Sequence, residues 1–169
     1  MNATAWYKKT LSDGALVLLI AMVFAYWGAT ASIRHSLREI GYPRLSPFLG
    51  HEEWLDESGM FAVHEREKWT WGAMLLVLAA VKVFRAYRTG YSSIGADGIC
   101  AGLGTVLGPV LAVAGFMLIY GSKLILCREV LFPGGLFSLC GLPAGLLIAG
   151  LAAWIARRSA RASSNIIEP

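Results

Sequence analysis

Four long apolar stretches make up most of this 169-residue chain. They indicate that the chain folds in a lipid bilayer and not in water. They lie at 11–33, 69–87, 99–121 and 132–156. A helix that crosses a bilayer needs about 20 mostly apolar residues, because each residue adds only about 1.5 Å of length. The mean hydropathy of +0.57 is typical of a membrane protein. The sequence therefore predicts a single all-α membrane domain, 1–169, with four transmembrane helices in a small bundle.

The second stretch is the least apolar of the four. Its uninterrupted apolar part, 69–81, ends at Lys82. Long basic side chains near the end of a span can keep their stems in hydrocarbon while the charge reaches the headgroups. We therefore expect Lys82 and Arg85 to extend to the nearer membrane surface.

The first stretch has an alternative interpretation as a cleaved signal peptide. Lys8 and Lys9 form a basic start, and the small residues of 29–31 fit a cleavage site. However, an apolar run of about 20 residues is longer than an ordinary signal-peptide core. We expect the first helix to be retained.

The arrangement of charge predicts that both termini lie in the cytoplasm and that the protein resides in the inner membrane. Lys and Arg divide eight to seven between the two sides, so their number alone says little. The stronger signal is two compact basic clusters, at 82–88 and 157–161, next to the cytoplasmic ends of two spans. This topology explains the pI near 9.1, and no nucleic-acid partner is needed.

The extracytoplasmic loop, 34–68, is the most elaborate segment outside the predicted spans. We expect Ser32 to cap a short amphipathic helix that lies on the membrane surface. An acidic patch follows at 51–57, and Ser58 can start a helix that continues into the second span. Connections are usually far shorter than this one, which suggests a recognition role.

Possible metal ligands in this loop are His51, His64 and Glu67. Only His64 and Glu67 share a helical face, at i and i+3, and no His-Glu-x-x-His motif is present. None of the histidines lies inside a predicted span, where haem is usually held. We favour a solvated, salt-bridged surface and expect no cofactor. If a metal is bound, these three residues are its candidate ligands.

The cysteines allow a disulfide between Cys127 and Cys140, which both belong to the predicted outer side of the bundle. Such a bridge requires an oxidising compartment and Cα atoms within about 7 Å. The alternative is that these residues and Cys100 are free thiols that pack as small apolar side chains. No Cys-x-x-Cys motif supports thiol–disulfide enzymology.

Small residues recur at every fourth position in the last two apolar stretches. These rows are Gly104, Gly108 and Ala112, and Gly141, Gly145 and Ala149. Such rows let helix backbones approach closely in lipid. We favour packing within this chain's own bundle, while docking of a partner is the alternative. Pro109 and Pro143 are expected to kink their helices.

The residue inventory favours an interaction protein over an enzyme. No Asp, Glu or His lies near the centre of a predicted span, and no Ser/His/Asp set can be assembled there. We expect an accessory or assembly subunit of a larger inner-membrane complex, such as a secretion, conjugation or respiratory machine. Its expected partners are the lipid bilayer and other membrane subunits.

Two alternative functions remain open. The protein resembles bacteriocin immunity proteins of the inner membrane in its architecture, a short chain with four transmembrane helices. That architectural resemblance implies protection against a pore-forming toxin. The other alternative is a metal- or haem-dependent membrane oxidoreductase that uses His51 and His64.

Overall fold

The structure, a computed structural model, describes residues 3–39, 57–120 and 139–164, and side chains within 12–36, 69–118 and 139–162. Over these ranges the chain forms four helices and no strand. Their bounds are Ala3–Glu39 for α1, Glu57–Thr89 for α2, Ile94–Tyr120 for α3 and Gly141–Ser164 for α4. The prediction that a helix starting near Ser58 continues into the second span is confirmed.

Three helices are long and apolar enough to cross a membrane. The stretches are Ser12–Ser36, Trp69–Thr89 and Ile94–Leu118. The first three predicted spans are thereby confirmed in length and composition, although the third begins five residues earlier than expected. In α4 the apolar part ends at Arg157, and 132–138 lies outside the described residues. The fourth span therefore stays a prediction.

Helix α1 forms the centre of the bundle and packs most extensively against α3. Half of its apolar stretch is buried inside the chain, compared with 33% for α3 and 11% for α2. Two clusters of buried apolar side chains join α1 to its neighbours. Helix α2 lies at the periphery, where Ala86 packs against Ala152 and Ala156 of α4.

The small-residue row of α3 faces α1. A Cβ atom on Gly104 would collide with the carbonyl oxygen of Leu18, and Gly108 lies equally close to the next turn of α1. Ala112 continues the row and is buried beside Ala29. Since lipid gives no hydrophobic drive between helices, this close approach supplies much of the attraction between α1 and α3.

The small-residue row of α4 also points into the bundle. A Cβ atom on Gly141 would lie 2.6 Å from the carbonyl oxygen of Ala21, and one on Gly145 would lie 2.9 Å from Cβ of Ala101. Ala149 is buried in the same cluster as Ala21 and Ala101. In the structure both rows therefore serve contacts among α1, α3 and α4.

Two local predictions are wrong. The expected surface helix after Ser32 does not exist as a separate element, because α1 runs unbroken to Glu39. Ser32 and Ile33 are buried, and Ile33 packs against Phe116 of α3 instead of lying on the membrane surface. Pro143 is the third residue of α4, where a proline has no helical hydrogen bond to break, so it does not kink this helix.

Candidate functional site

Three ionisable side chains from three helices meet near one end of the bundle. Asp13 comes from α1, Lys82 from α2 and Asp97 from α3. The three residues are 4%, 0% and 0% exposed, respectively. We call this group the charge cluster. Burial of an unpaired charge inside an apolar bundle is strongly destabilising. A buried group of three charges therefore indicates a structural or functional role.

The Lys82 ammonium lies at the centre of the charge cluster. It donates to both carboxylate oxygens of Asp97, at 3.0 Å for Oδ1 and 2.9 Å for Oδ2. It also donates to the backbone carbonyl oxygen of Asp13 at 3.3 Å. Its contact with Oδ2 of Asp13, at 2.8 Å, is ionic and lacks the angles of a hydrogen bond. An ammonium has three donors, so Lys82 is fully used in linking α1, α2 and α3.

The turn between α2 and α3 positions Asp97. Gly90 ends α2 with a φ of +59°, a conformation that favours glycine, and its N–H donates to the carbonyl of Ala86 at 3.0 Å. The chain then enters α3, and the Asp97 N–H donates to the carbonyl of Ser93 at 2.9 Å. The Ser92 hydroxyl donates to Oδ2 of Asp97 at 3.1 Å. Asp97 also lies in the first turn of α3, where the helix dipole stabilises negative charge.

Glycine makes room for the side chains beside the charge cluster. A Cβ atom on Gly14 would lie 2.8 Å from Sγ of Cys100. The Cys100 thiol of α3 therefore packs against the backbone of α1 at Gly14. Cys100 is partly buried and carries a free thiol. This contact brings α1 and α3 close together one residue after Asp13.

The charge cluster contains two carboxyl groups and one ammonium. A further positive charge comes from Arg85, whose Nη1 donates to the carbonyl of Ser12 at 3.3 Å. Arg85 is only partly buried, in contrast to Lys82. Removal of one partner from a buried ion pair leaves an uncompensated charge, so the cluster favours one arrangement of the three helices over others.

The prediction that Lys82 extends to the headgroups is wrong. The side chain is fully buried, because two carboxylates lie where its ammonium ends. In the sequence, Asp13 lies near the start of the first apolar stretch and Asp97 lies just before the third, and both are buried in helices. Because successive spans run in opposite directions, the start of α1, the end of α2 and the start of α3 lie on the same side of the bundle. This alternation predicts a common level for the three residues, and the packing of the helices brings them into contact.

Several other predicted site residues fall outside the described side chains. These include His51, His64 and Glu67, so the expected solvated surface and the alternative of a metal site both stay untested. Within the described part of the chain, no group of three or more His, Cys, Asp or Glu residues could hold a metal. Cys140 is exposed with a free thiol, and its predicted partner Cys127 lies outside the described residues.

Replacement of Ser92 with Ala tests the hydrogen bond to Asp97. We expect a loss of about 1–2 kcal/mol in the free energy of unfolding, because a hydrogen bond to a buried carboxylate is lost. Detergent-based unfolding followed by tryptophan fluorescence measures this loss. Ser93→Ala is the matched control, since the contact of Ser93 with Asp97 uses the backbone carbonyl and survives the substitution. Equal stability of the two variants would show that Ser92 does not stabilise Asp97.

The geometry gives the charge cluster a clear chemical role. It is an electrostatic cross-link of three helices, and its ammonium is held by four oxygen contacts from Asp13 and Asp97. Comparison of the chain with protein-family models, curated proteins and solved structures finds no match.

Proposed function

We propose that this protein is an accessory or assembly subunit of a larger inner-membrane complex, which it joins through contacts within the bilayer. The observation that carries the proposal is the uneven burial of the spans. Helix α2 has only 11% of its apolar stretch buried inside this chain, compared with 50% for α1. A span that contributes so little to its own bundle is free to contact another membrane helix.

In addition to its packing against α4, helix α2 contacts α1 and α3 near both ends of its apolar stretch. Near one end, Trp71 packs against Tyr26 of α1 with ring centroids 5.5 Å apart. Near the other end, Lys82 enters the charge cluster. Between these anchors Leu76 and Val77 are exposed, Leu76 at 73%. The anchors fix the position of an outward apolar face, and preorganisation of this kind lowers the cost of binding a partner helix.

Helix α2 also continues past the apolar stretch. It begins at Glu57, twelve residues before the stretch starts at Trp69. At 1.5 Å for each residue the extension measures roughly 18 Å. A helix that projects this far offers a second region of contact for a partner outside the bilayer.

The proposal places both termini on the same side of the membrane. The start of α1 and the end of α2 meet at the charge cluster. The end of α4 lies at that same end of the bundle, because the Ser159 hydroxyl donates to the carbonyl of Tyr87 at 2.9 Å. This arrangement supports an even number of crossings, with α4 as the fourth.

Photocrosslinking tests the proposal. A photoreactive amino acid at Leu76 or Val77 is expected to crosslink to one membrane protein, which co-purifies in mild detergent at a fixed ratio. Val106 and Val110 of α3 are matched controls, because they are also exposed and apolar. We expect those positions to label lipid only. A protein recovered as a lone monomer, with lipid labelling at all four positions, would refute the subunit role.

A further inference from the structure

The ends of α2 and α4 lie side by side at the end of the bundle that contains the charge cluster. Ala86 of α2 packs against Ala152 and Ala156 of α4. One turn further, the Ser159 hydroxyl donates to the carbonyl of Tyr87 at 2.9 Å. The two helix ends are therefore fixed relative to each other by both packing and a hydrogen bond.

This contact joins two basic clusters that are far apart in sequence. The combined surface, which we call the arginine rim, consists of Arg85, Arg88, Arg157 and Arg158. Among the described side chains at this end, the carboxylates are those of Asp13 and Asp97, and both are buried against Lys82. The positive charge of the rim is therefore not offset by these acidic groups.

An exposed tryptophan, Trp154, lies beside the rim. Its indole is 52% exposed, and Cζ of Arg158 lies 4.4 Å from the ring centroid. Exposed indoles next to a span prefer the headgroup region. An indole in that region would place the stacked Arg158 guanidinium close to the lipid phosphates.

We propose that the arginine rim is a binding site for the phosphate groups of anionic phospholipids in the adjacent leaflet. Guanidinium groups bind phosphate oxygens in pairs. Basic surfaces between neighbouring transmembrane helices recognise anionic headgroups. Because the arginines come from two helices, one headgroup can be held by α2 and α4 together. A phospholipid with two phosphates can present one phosphate to the arginines of each helix.

Lipid titration tests the site. The full chain is placed in phosphatidylcholine nanodiscs, and cardiolipin retention is measured by native mass spectrometry at increasing cardiolipin content. The test variant is Arg88→Gln with Arg158→Gln, one arginine from each helix. We expect its apparent affinity for cardiolipin to fall about 25-fold, because each juxtamembrane arginine contributes a factor of about five. Arg88→Lys with Arg158→Lys keeps the charge but loses the paired guanidinium contacts, so we expect its affinity to lie between those of the unchanged protein and the glutamine variant.

The control removes the same charge elsewhere. Lys123→Gln with Arg128→Gln changes the segment between α3 and α4 and should leave the high-affinity cardiolipin unaffected. Equal losses in the two glutamine double variants would overturn the proposal. It would also be overturned if the rim bound inorganic phosphate as tightly as cardiolipin, since the rim would then be a site for soluble anions. Circular dichroism establishes that each variant is folded. The result is independent of whether a protein partner binds α2.

Discussion

Substitution of Lys82 with Met is expected to lower the free energy of unfolding by about 3–5 kcal/mol, because it leaves two buried carboxylates without their cation. Lys82 is 0% exposed, and its ammonium contacts Asp13 and Asp97 within 3.3 Å. Methionine has a similar length and is apolar, so the side-chain volume is largely kept. The expected loss therefore comes from charge and hydrogen bonding, with little contribution from a cavity.

Two comparisons separate this effect from the general loss of a positive charge. Arg85→Met removes a cation from the same helix, one turn away, but its guanidinium is partly exposed and donates to a backbone carbonyl, not to a carboxylate of the cluster. We expect Arg85→Met to be much milder. The triple variant Lys82→Met, Asp13→Leu, Asp97→Leu replaces all three charges with apolar side chains, and we expect it to recover most of the stability, as apolar replacements of buried ion pairs often do.

Unfolding by sodium dodecyl sulfate in mixed micelles measures these differences. Tryptophan fluorescence is a suitable signal, because Trp71 of α2 packs against Tyr26 of α1 and reports whether α2 is docked. If Lys82→Met and Arg85→Met were equally stable, the ammonium would not be buried among the carboxylates. If the triple variant were as unstable as Lys82→Met, the charges would not be the cause.

Much of the fold follows from apolar composition alone. The first and second spans begin within a residue of their predicted positions, at Ser12 and Trp69. The reason is that lipid requires backbone hydrogen bonds to be satisfied within the segment, so a long apolar run in a membrane has few alternatives to a helix. The third helix starts earlier, at Ile94, because the short turn after Gly90 returns the chain to the bundle at once.

Tertiary contacts account for the wrong predictions. The spacing of apolar residues around Ile33 fits a membrane-surface helix as well as a buried helix. Only the contact of Ile33 with Phe116 identifies it as a core residue. The position of Lys82 at the end of an apolar run is typical of a lysine that extends to the headgroups. Only the positions of Asp13 and Asp97 show that Lys82 is buried. Residue patterns identify spans, but the partner of a charged residue depends on how the helices are arranged around it.

The charge cluster and the exposed face of α2 are linked through the same helix. Ion pairing at Lys82 and ring packing at Trp71 hold α2 in register with α1. The rotation of α2 about its own axis, and hence the direction in which Leu76 and Val77 point, depends on these anchors. Loss of the cluster is therefore expected to weaken partner binding through α2 as well as stability.

The second large effect is expected from Gly108→Ala in the contact between α1 and α3. A Cβ atom at this position would lie 2.5 Å from the carbonyl oxygen of Met22, 2.7 Å from the amide nitrogen of Tyr26 and 2.9 Å from Cβ of Ala25. Two of these atoms belong to the backbone of α1, so no side-chain rotation relieves the overlap. The helices must separate, and we expect a loss of about 1–3 kcal/mol.

Alanine at other glycines of α3 provides the control for Gly108→Ala. At Gly102 and Gly115 an added Cβ atom would meet nothing within 4 Å, and alanine is favoured over glycine in a helix by about 1 kcal/mol. Gly102→Ala and Gly115→Ala should therefore be neutral or slightly stabilising, opposite in sign to Gly108→Ala. The same unfolding titration compares all three variants. If Gly108→Ala matched the controls, α3 would not contact α1 through its glycine row, and that row would be available to a partner.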